Sequence, residues 1–167
     1  SVAVLAVASV AAHAADPMKA GFVYIGPTGD HGWTYSHDQG RKALEAQSGG
    51  KVTTTFVESV QETADAERVF RDLAQKGHKV IFGTSFGYMN QMLKVAKAFP
   101  KTTFMHATGY KTAPNLGVYD VRTYEGAYML GVVAGKMSKN NKVGYVASIP
   151  IPEVIRNIDA FTIGARS

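Results

Sequence analysis

The strongest constraint on the fold of this chain is a regular alternation of short apolar runs with amphipathic segments. Five runs have the length and the apolar or β-branched composition of strands, and they cover residues 20–25, 52–60, 80–82, 103–107 and 116–121. Helices are predicted after the first three runs, over 35–47, over 63–75 and from 89 to Pro100, and the second and third of them carry apolar side chains at helical spacing. Strands that begin roughly every 25–30 residues predict βαβ units, and therefore an α/β fold with a parallel sheet flanked by helices.

The pattern changes after residue 122. The segments that follow are predicted to be a helix, a polar turn, a strand and a helix, at 125–137, 139–142, 143–147 and 152–165. One strand and two helices cannot bury a core by themselves. We therefore expect 15–122 to form a first, Rossmann-like lobe. We expect 123–167 to form a hinge and the beginning of an incomplete second lobe, so that the chain would be a fragment.

The start of the chain has the composition of a signal peptide. Residues 1–12, SVAVLAVASVAA, are small and apolar without a charge, and Ala12-His13-Ala14 offers an A-x-A cleavage site before Asp16-Pro17. The run is too short to cross a hydrocarbon core of roughly 30 Å as a helix. We therefore expect 1–14 to be a signal peptide that lacks its start, and the mature protein to be exported.

Composition excludes several classes of function. The chain has no cysteine, which excludes disulfides, thiolate catalysis, cysteine metal sites and a lipidated cysteine in this stretch. Its formal net charge is +5, but the lysines and arginines are dispersed and no run is longer than Arg41-Lys42. A nucleic-acid-binding surface needs basic side chains gathered in a patch or stripe. The sequence therefore predicts no nucleic-acid partner.

The loops at one edge of the predicted sheet hold the candidate ligand contacts, because ligands of open parallel sheets bind beyond the carboxyl ends of the strands. These loops carry aromatic and small polar side chains, and the candidates are Asp30, Trp33, Thr34, Ser85, Phe86, Thr108, Ile149 and Pro150. Trp33 could either cover the core or stack on a planar ligand. Asp30 and Thr34 could cap the helix that begins near Tyr35, and a capping Asp30 could still accept a ligand N–H group.

A serine hydrolase is the main alternative. The segment Gly83-Thr84-Ser85-Phe86-Gly87 matches the G-x-S-x-G nucleophile elbow and lies between a predicted strand and a predicted helix. A hydrolase also needs an acid and a histidine, and His106 on the next strand is the only histidine after Ser85. The sequence leaves this alternative open.

Signals for a cofactor or a metal are weak. The G-x-x-G-x-x-G run that starts at Gly26 is one residue off the dinucleotide fingerprint, and no acidic residue stands at the required place after the second strand. The sequence contains no G-K-[ST] phosphate loop. His31, His37 and Asp38 lack the spacing that places two histidines on one helical face. We therefore expect no cofactor and no metal.

Segments spread along the chain resemble a known family. They are GDHGWTY at 29–35, YEGAYMLG at 124–131, VGYV at 143–146 and IPEVIR at 151–156. Together they resemble the basic membrane protein family of ABC-transporter solute-binding proteins, which includes receptors for purine bases and purine nucleosides. The likeness extends over essentially everything after residue 18.

The resemblance implies a two-lobed, type I periplasmic-binding fold that closes around a small-molecule ligand without an enzymatic step. It implies an ABC transporter permease as the partner of a monomeric receptor. Family members are often lipid-anchored, but no cysteine follows Ala14. This member is therefore expected to be free in the periplasm.

The resemblance also implies roles for individual positions. In the family, an aromatic residue and an Asn of the first loop contact the purine and its sugar; Trp33 takes the aromatic place, and Thr34 stands where many members have Asn. The loop after the fourth strand commonly supplies an Asp to a ribose, and Thr108 stands there. A free base, such as adenine or hypoxanthine, and a nucleoside both stay open as ligands. We expect a structural role in the hinge or second lobe for Glu125, and the role of Arg156 stays open.

Overall fold

The five strands predicted between residues 20 and 121 all join one parallel sheet. The computed structural model describes residues 15–167, so the predicted signal peptide lies outside the described residues. The strands are β1 (Met18–Val23), β2 (Val52–Val57), β3 (Val80–Gly83), β4 (Thr103–Ala107) and β5 (Leu116–Tyr119). They lie in the order β2-β1-β3-β4-β5, and every neighbouring pair is parallel. The prediction of an α/β fold with a parallel sheet is confirmed.

Helices connect the strands and continue beyond the sheet. They are α1 (Trp33–Gln47), α2 (Ala64–Gln75), α3 (Met89–Ala98), α4 (Thr123–Met137) and α5 (Pro152–Arg166). A 3₁₀ turn over Phe86–Tyr88 precedes α3. Within residues 15–167, no helix combines the length and the apolar character that a membrane crossing requires.

Helices α2 and α3 cover one face of the sheet with an apolar core. Side chains at helical spacing on α2, such as Phe70 and Leu73, are buried against Val23 and Ile81 of the sheet. Burying one large apolar side chain contributes roughly 1.5–3 kcal/mol. This core holds β1, β3 and β4 in place, and it thereby fixes the loops that leave their carboxyl ends.

Helix α1 contacts the opposite face through a polar seam. Asp38 and Arg41 on its inner side are buried, and the Arg41 Nε donates to the Asp38 carboxylate at 2.7 Å. The buried hydroxyl of Tyr24, which follows β1 directly, donates to the same carboxylate at 3.4 Å. The Arg41 guanidinium lies 4.7 Å from the centre of the Phe56 ring on β2. The seam ties α1 to the two strands, and so it positions Trp33 at the helix start.

The strand predicted over 143–147 is wrong. Residues 142–147 have irregular backbone, although their apolar, β-branched composition favours a strand. A strand needs a neighbour to pair its N–H and C=O groups. Within residues 15–167, every strand belongs to the five-stranded sheet, in which this segment does not take part. The helix predicted after it, over 152–165, is confirmed as α5.

Helices α4 and α5 approach each other closely at glycines. A Cβ atom at Gly131 would lie 2.1 Å from the carbonyl oxygen of Phe161, and one at Gly164 would lie 2.1 Å from the carbonyl oxygen of Tyr128. The obstructing atoms belong to the backbone, so a change of rotamer cannot move them. The two helices can lie at this distance only because both positions lack a side chain.

Substituting Gly131 by alanine is expected to push the helices apart and to lower the free energy of unfolding by about 1–3 kcal/mol. Gly126→Ala on the same helix is the matched control, because a Cβ there meets nothing within 4 Å. It should leave stability unchanged or raise it by up to about 1 kcal/mol, since alanine favours helix over glycine. Urea unfolding of the full-length gene product measures both, and equal stability of the two variants would contradict the close contact.

Candidate functional site

A cleft opens where the carboxyl ends of β4 and β5 meet the first turns of α1, α4 and α5. Its volume is about 440 Å³, within the range of roughly 300–1,000 Å³ that is usual for small-molecule sites. It is lined by aromatic, acidic and small side chains: Gly32, Trp33, Ser36, His37, Ala107, Thr108, Tyr119, Asp120, Val121, Thr123 and Glu153. A wider groove of about 730 Å³ lies between α4, α5 and residues 144–146, and it shares only Thr123 with the cleft. The cleft is the candidate site because it lies where ligands of parallel sheets bind.

Trp33 forms an aromatic wall of the cleft. Its indole N–H donates to the carbonyl oxygen of Thr84 at 2.5 Å, which fixes the ring, while 41% of the residue stays exposed. The His37 ring lies 4.6 Å from the Trp33 ring, and the Tyr119 ring lies 6.5 Å from that of His37. A fixed and partly exposed indole next to two further rings is suited to hold a flat molecule.

Asp30 and Thr34 lie at the start of α1 but not in the lining of the cleft. The Asp30 carboxylate accepts hydrogen bonds from the backbone N–H groups of Gly32, Tyr35 and Thr34 at 2.8, 2.9 and 3.1 Å. These bonds, first those from Gly32 and Tyr35, lower the pKa of Asp30. Thr34 is fully buried. The capping role foreseen for Asp30 is thus observed, whereas Thr34 lies within α1 and its buried hydroxyl caps nothing among the described residues. Direct ligand contacts of the two residues stay predictions.

The loop after β3 does not have the geometry of a nucleophile elbow. Ser85 has extended backbone, with φ −142° and ψ 142°, whereas the elbow is a sharp, strained turn. Its hydroxyl donates to the carboxylate of Glu62 at 2.5 Å, and the ring Nε2 of His106 faces the backbone carbonyl of Ser85 at 2.7 Å. Burial lowers the pKa of His106. The geometry therefore does not support the serine-hydrolase alternative.

The remaining predicted contacts are dispersed. Thr108 lines the cleft; its backbone has a positive φ of 61°, and its N–H donates to the carbonyl oxygen of Tyr119 at 2.8 Å. Phe86 lies outside the cleft lining, with its ring 6.2 Å from that of Tyr110. Ile149 and Pro150 are exposed in the irregular segment before α5 and do not reach the cleft. Of the eight predicted contacts, the structure thus brings only Trp33 and Thr108 together in the cleft.

Two acidic residues of the cleft were not predicted from the sequence. Asp120 follows β5 and forms an ion pair with Arg156 of α5, whose guanidinium lies 5.4 Å from the centre of the Tyr124 ring. Glu153 lies in the first turn of α5. Burial raises the pKa of Glu153, and the nearby negative charge of Asp120 adds to the effect. The only sequence evidence that either residue belongs to a ligand site was its position beside a loop predicted at the carboxyl edge of the sheet.

The ion pair gives Arg156 a role that the sequence left open: it joins α5 to the end of β5. The hydroxyl of Thr123 donates to the side-chain oxygen of Asn157 at 3.1 Å, a second link between the starts of α4 and α5. Glu125 is exposed and pairs with Arg122 at 3.2 Å.

In the described part of the chain, no three metal-ligating side chains come together, and Asp38 instead pairs with Arg41 and Lys42.

The sequence of the chain matches the model of a known protein family. A family model described as "ABC transporter substrate-binding protein PnrA-like", named Bmp, matches residues 18–167. The chain belongs to this family. The match covers every strand and helix of the described fold, and the Bmp fold thus includes both the sheet and the α4–α5 pair.

Curated relatives carry names of binding proteins. The Bmp chain is 57% identical over 157 residues to a purine-binding protein of Brucella abortus, with 94% of this chain and 45% of the relative covered. It is 47% identical over 152 residues to a protein of Haloferax volcanii named as a candidate glucose-binding protein of an ABC transporter, with 91% of this chain and 38% of the relative covered. The chain thus spans less than half the length of these two relatives.

Solved structures show the same fold. A solute-binding protein of an ABC transporter system from Aeropyrum pernix K1 superposes with a TM-score of 0.78 at 21% identity, covering 90% of this chain and 43% of that one. Another from Conexibacter woesei DSM 14684 gives a TM-score of 0.69 at 21% identity, covering 89% and 50%. The Bmp chain therefore has the α/β fold of ABC-transporter solute-binding proteins.

Proposed function

We propose that the protein containing this chain captures a purine base or nucleoside in the cleft and delivers it to an ABC importer. The observation that carries the proposal is the exposed face of Trp33, held by the hydrogen bond to Thr84 at the carboxyl edge of the sheet. Stacking on an indole contributes about 0.5–1.5 kcal/mol beyond the burial of area. A purine is flat enough to use this face, and the Brucella relative is named for purine binding.

The mechanism is closure of two lobes around the ligand. Residues 15–122 are the first lobe, and 123–167 are the hinge and the beginning of the second. The links Asp120–Arg156 and Thr123–Asn157 lie at this crossover, beside the cleft. A ligand that touches both lobes stabilises the closed state by its differential affinity for that state, which is how occupancy can be signalled to a partner.

The partner and the compartment follow from the same proposal. A permease of an ABC transporter would receive the closed receptor, and the protein would act outside the cytoplasm, in the periplasm. The predicted signal peptide over 1–14 supports export. No reaction is required of the receptor, so the proposal includes no catalytic residue and no cofactor.

A thermal-shift panel of purine bases, purine nucleosides, sugars and amino acids on the full-length gene product tests this function. A ligand that binds only the folded protein stabilises it by mass action, by about 2.7 kcal/mol at a concentration 100 times its Kd. We expect purines to raise the melting temperature and amino acids to leave it unchanged. A rise with glucose alone would favour the function in the name of the Haloferax relative and would overturn the purine proposal.

A further inference from the structure

One carboxylate in the cleft has hydrogen-bonding capacity that the described protein does not use. Glu153, the second residue of α5, lines the cleft together with Trp33 and Thr108. Its side chain is partly buried, the neighbouring Arg156 pairs with Asp120, and no hydrogen bond or ion pair reaches the Glu153 carboxylate in the described part of the chain. Within residues 15–167, Glu153 is therefore an acceptor without a donor.

Several other polar groups of the cleft are already engaged. Asp120 is paired with Arg156. The indole N–H of Trp33 donates to the carbonyl oxygen of Thr84, and the hydroxyl of Ser36 donates to the carbonyl oxygen of Gly32 at 2.8 Å. Glu153 is thus the carboxylate that is free to receive a ligand.

The surroundings of Glu153 favour N–H donors as its partners. The group is partly withdrawn from water, and the negative charge of Asp120 lies near it, so both effects disfavour a bare carboxylate. Hydrogen bonds from N–H groups stabilise the ionised form, and bonds to a charged group are stronger than those between neutral groups. Purine bases carry such N–H groups on the ring or on an exocyclic amine.

We propose that Glu153 determines the specificity of the cleft by accepting hydrogen bonds from N–H groups of the purine that stacks on Trp33. This inference rests on the proposed function. A ligand whose N–H group is blocked covers the partly buried carboxylate without pairing it. A polar group left unpaired in this way penalises a wrong ligand more than lost apolar area does.

A purely structural role for Glu153 makes a different prediction. An acidic side chain in the first turn of a helix also interacts favourably with the helix dipole. Loss of that interaction would lower the stability of every complex equally, because the helix start does not distinguish one purine from another. The ratio of affinities for two related ligands therefore separates recognition from helix stabilisation.

The experiment is calorimetric titration of the full-length gene product with hypoxanthine and with its 1-methyl, 7-methyl and 9-methyl analogues. The wild type is expected to bind at least one methyl analogue about 10- to 100-fold more weakly than hypoxanthine, the size of a lost hydrogen bond to a charged group. Glu153→Ala should weaken hypoxanthine binding by a similar factor and bring that ratio close to one. Glu153→Gln keeps an oxygen acceptor without the charge, and its affinity for hypoxanthine should lie between those of the wild type and Glu153→Ala.

Asp159→Asn is the matched control, because Asp159 is an exposed acid on the same helix and lies outside the cleft. It should leave all the affinities unchanged. If Glu153→Ala binds hypoxanthine and keeps the wild-type ratios for all three analogues, the inference is wrong and the purine function stands. If the wild type binds no purine in the panel, the proposed function fails and the inference fails with it.

Discussion

Replacing Asp38 with alanine is expected to lower the free energy of unfolding by about 3–5 kcal/mol, because it leaves a buried charge without its partner. The Asp38 side chain is 3% exposed and that of Arg41 is 10% exposed, with 2.7 Å between Oδ1 and Nε. After the substitution, the guanidinium keeps the uncharged hydroxyl of Thr54 at 2.7 Å, but its nearest remaining carboxylate is that of Glu45, at 3.4 Å. The loss should appear as a lower urea midpoint of the full-length gene product.

The matched control for this prediction is Asp72→Ala. Asp72 pairs with Lys76 one helical turn away at 2.7 Å, but the two side chains are 50% and 65% exposed. An exposed pair of this kind contributes about 0–1 kcal/mol. Similar losses for the two variants would mean that burial of the Asp38–Arg41 pair has no energetic consequence, against the argument from desolvation.

The contribution of Asp38 should also depend on pH. Burial pushes the pKa of Asp38 up, but the hydrogen bonds and charges of Arg41 and Lys42 outweigh it, so the pKa lies below its ordinary value. A carboxyl with a lowered pKa in the folded state contributes fully above its unfolded pKa of about 3.9. That contribution disappears as the pH falls through the folded pKa. The difference in stability between the wild type and Asp38→Ala should therefore be constant near neutral pH and shrink in acid.

The fold was accessible from the sequence because the signals for its elements are local. The apolar stripe of α2, with Phe70 and Leu73, follows helical spacing, and the apolar run of β1 is typical of a strand covered on both faces. The segment 143–147 shows the limit of such signals. Its composition favours a strand, but pairing depends on a neighbour that composition cannot supply.

The cleft was only partly accessible, because small errors at strand ends decide which side chains face a ligand. Predicting β5 to extend to 121 placed Asp120 inside a strand, whereas the strand ends at Tyr119 and Asp120 lines the cleft. Glu153 was inside a correctly predicted helix, and no local pattern indicates that its side chain faces the end of β5. The position of Glu153 beside the end of β5 depends on the long-range pairing of Arg156 with Asp120.

The predicted contacts that lie outside the cleft lining fail for a related reason. Ser85 and Asp30 belong to the right loops, but their polar atoms are engaged with Glu62 and with the start of α1. Small polar residues in glycine-rich loops form hydrogen bonds with nearby backbone groups as readily as with a ligand. Only the arrangement in space decides between the two uses, and it favours Trp33 and Thr108.

Replacing Trp33 with alanine is expected to weaken purine binding about 10- to 100-fold, because stacking of a base on an aromatic ring contributes about 1–3 kcal/mol. The substitution removes the wall of the cleft and also the donor that satisfies the Thr84 carbonyl oxygen. Calorimetric titration with the purine that gives the largest shift in the thermal panel measures the change. A melting temperature of the unliganded variant close to that of the wild type would show that the loss arises in the cleft.

Two further variants separate the ring face from the indole N–H. Trp33→Phe keeps an aromatic face but cannot donate to Thr84. It should therefore retain most of the affinity if stacking supplies most of the contribution of Trp33 to the binding free energy. Tyr110→Ala removes an aromatic ring that is 66% exposed and outside the cleft lining, and it should bind as the wild type does. Binding by Trp33→Ala within a factor of two of the wild type would place the purine elsewhere. An equal loss in Trp33→Phe and Trp33→Ala would instead assign the effect to the hydrogen bond that orients the ring.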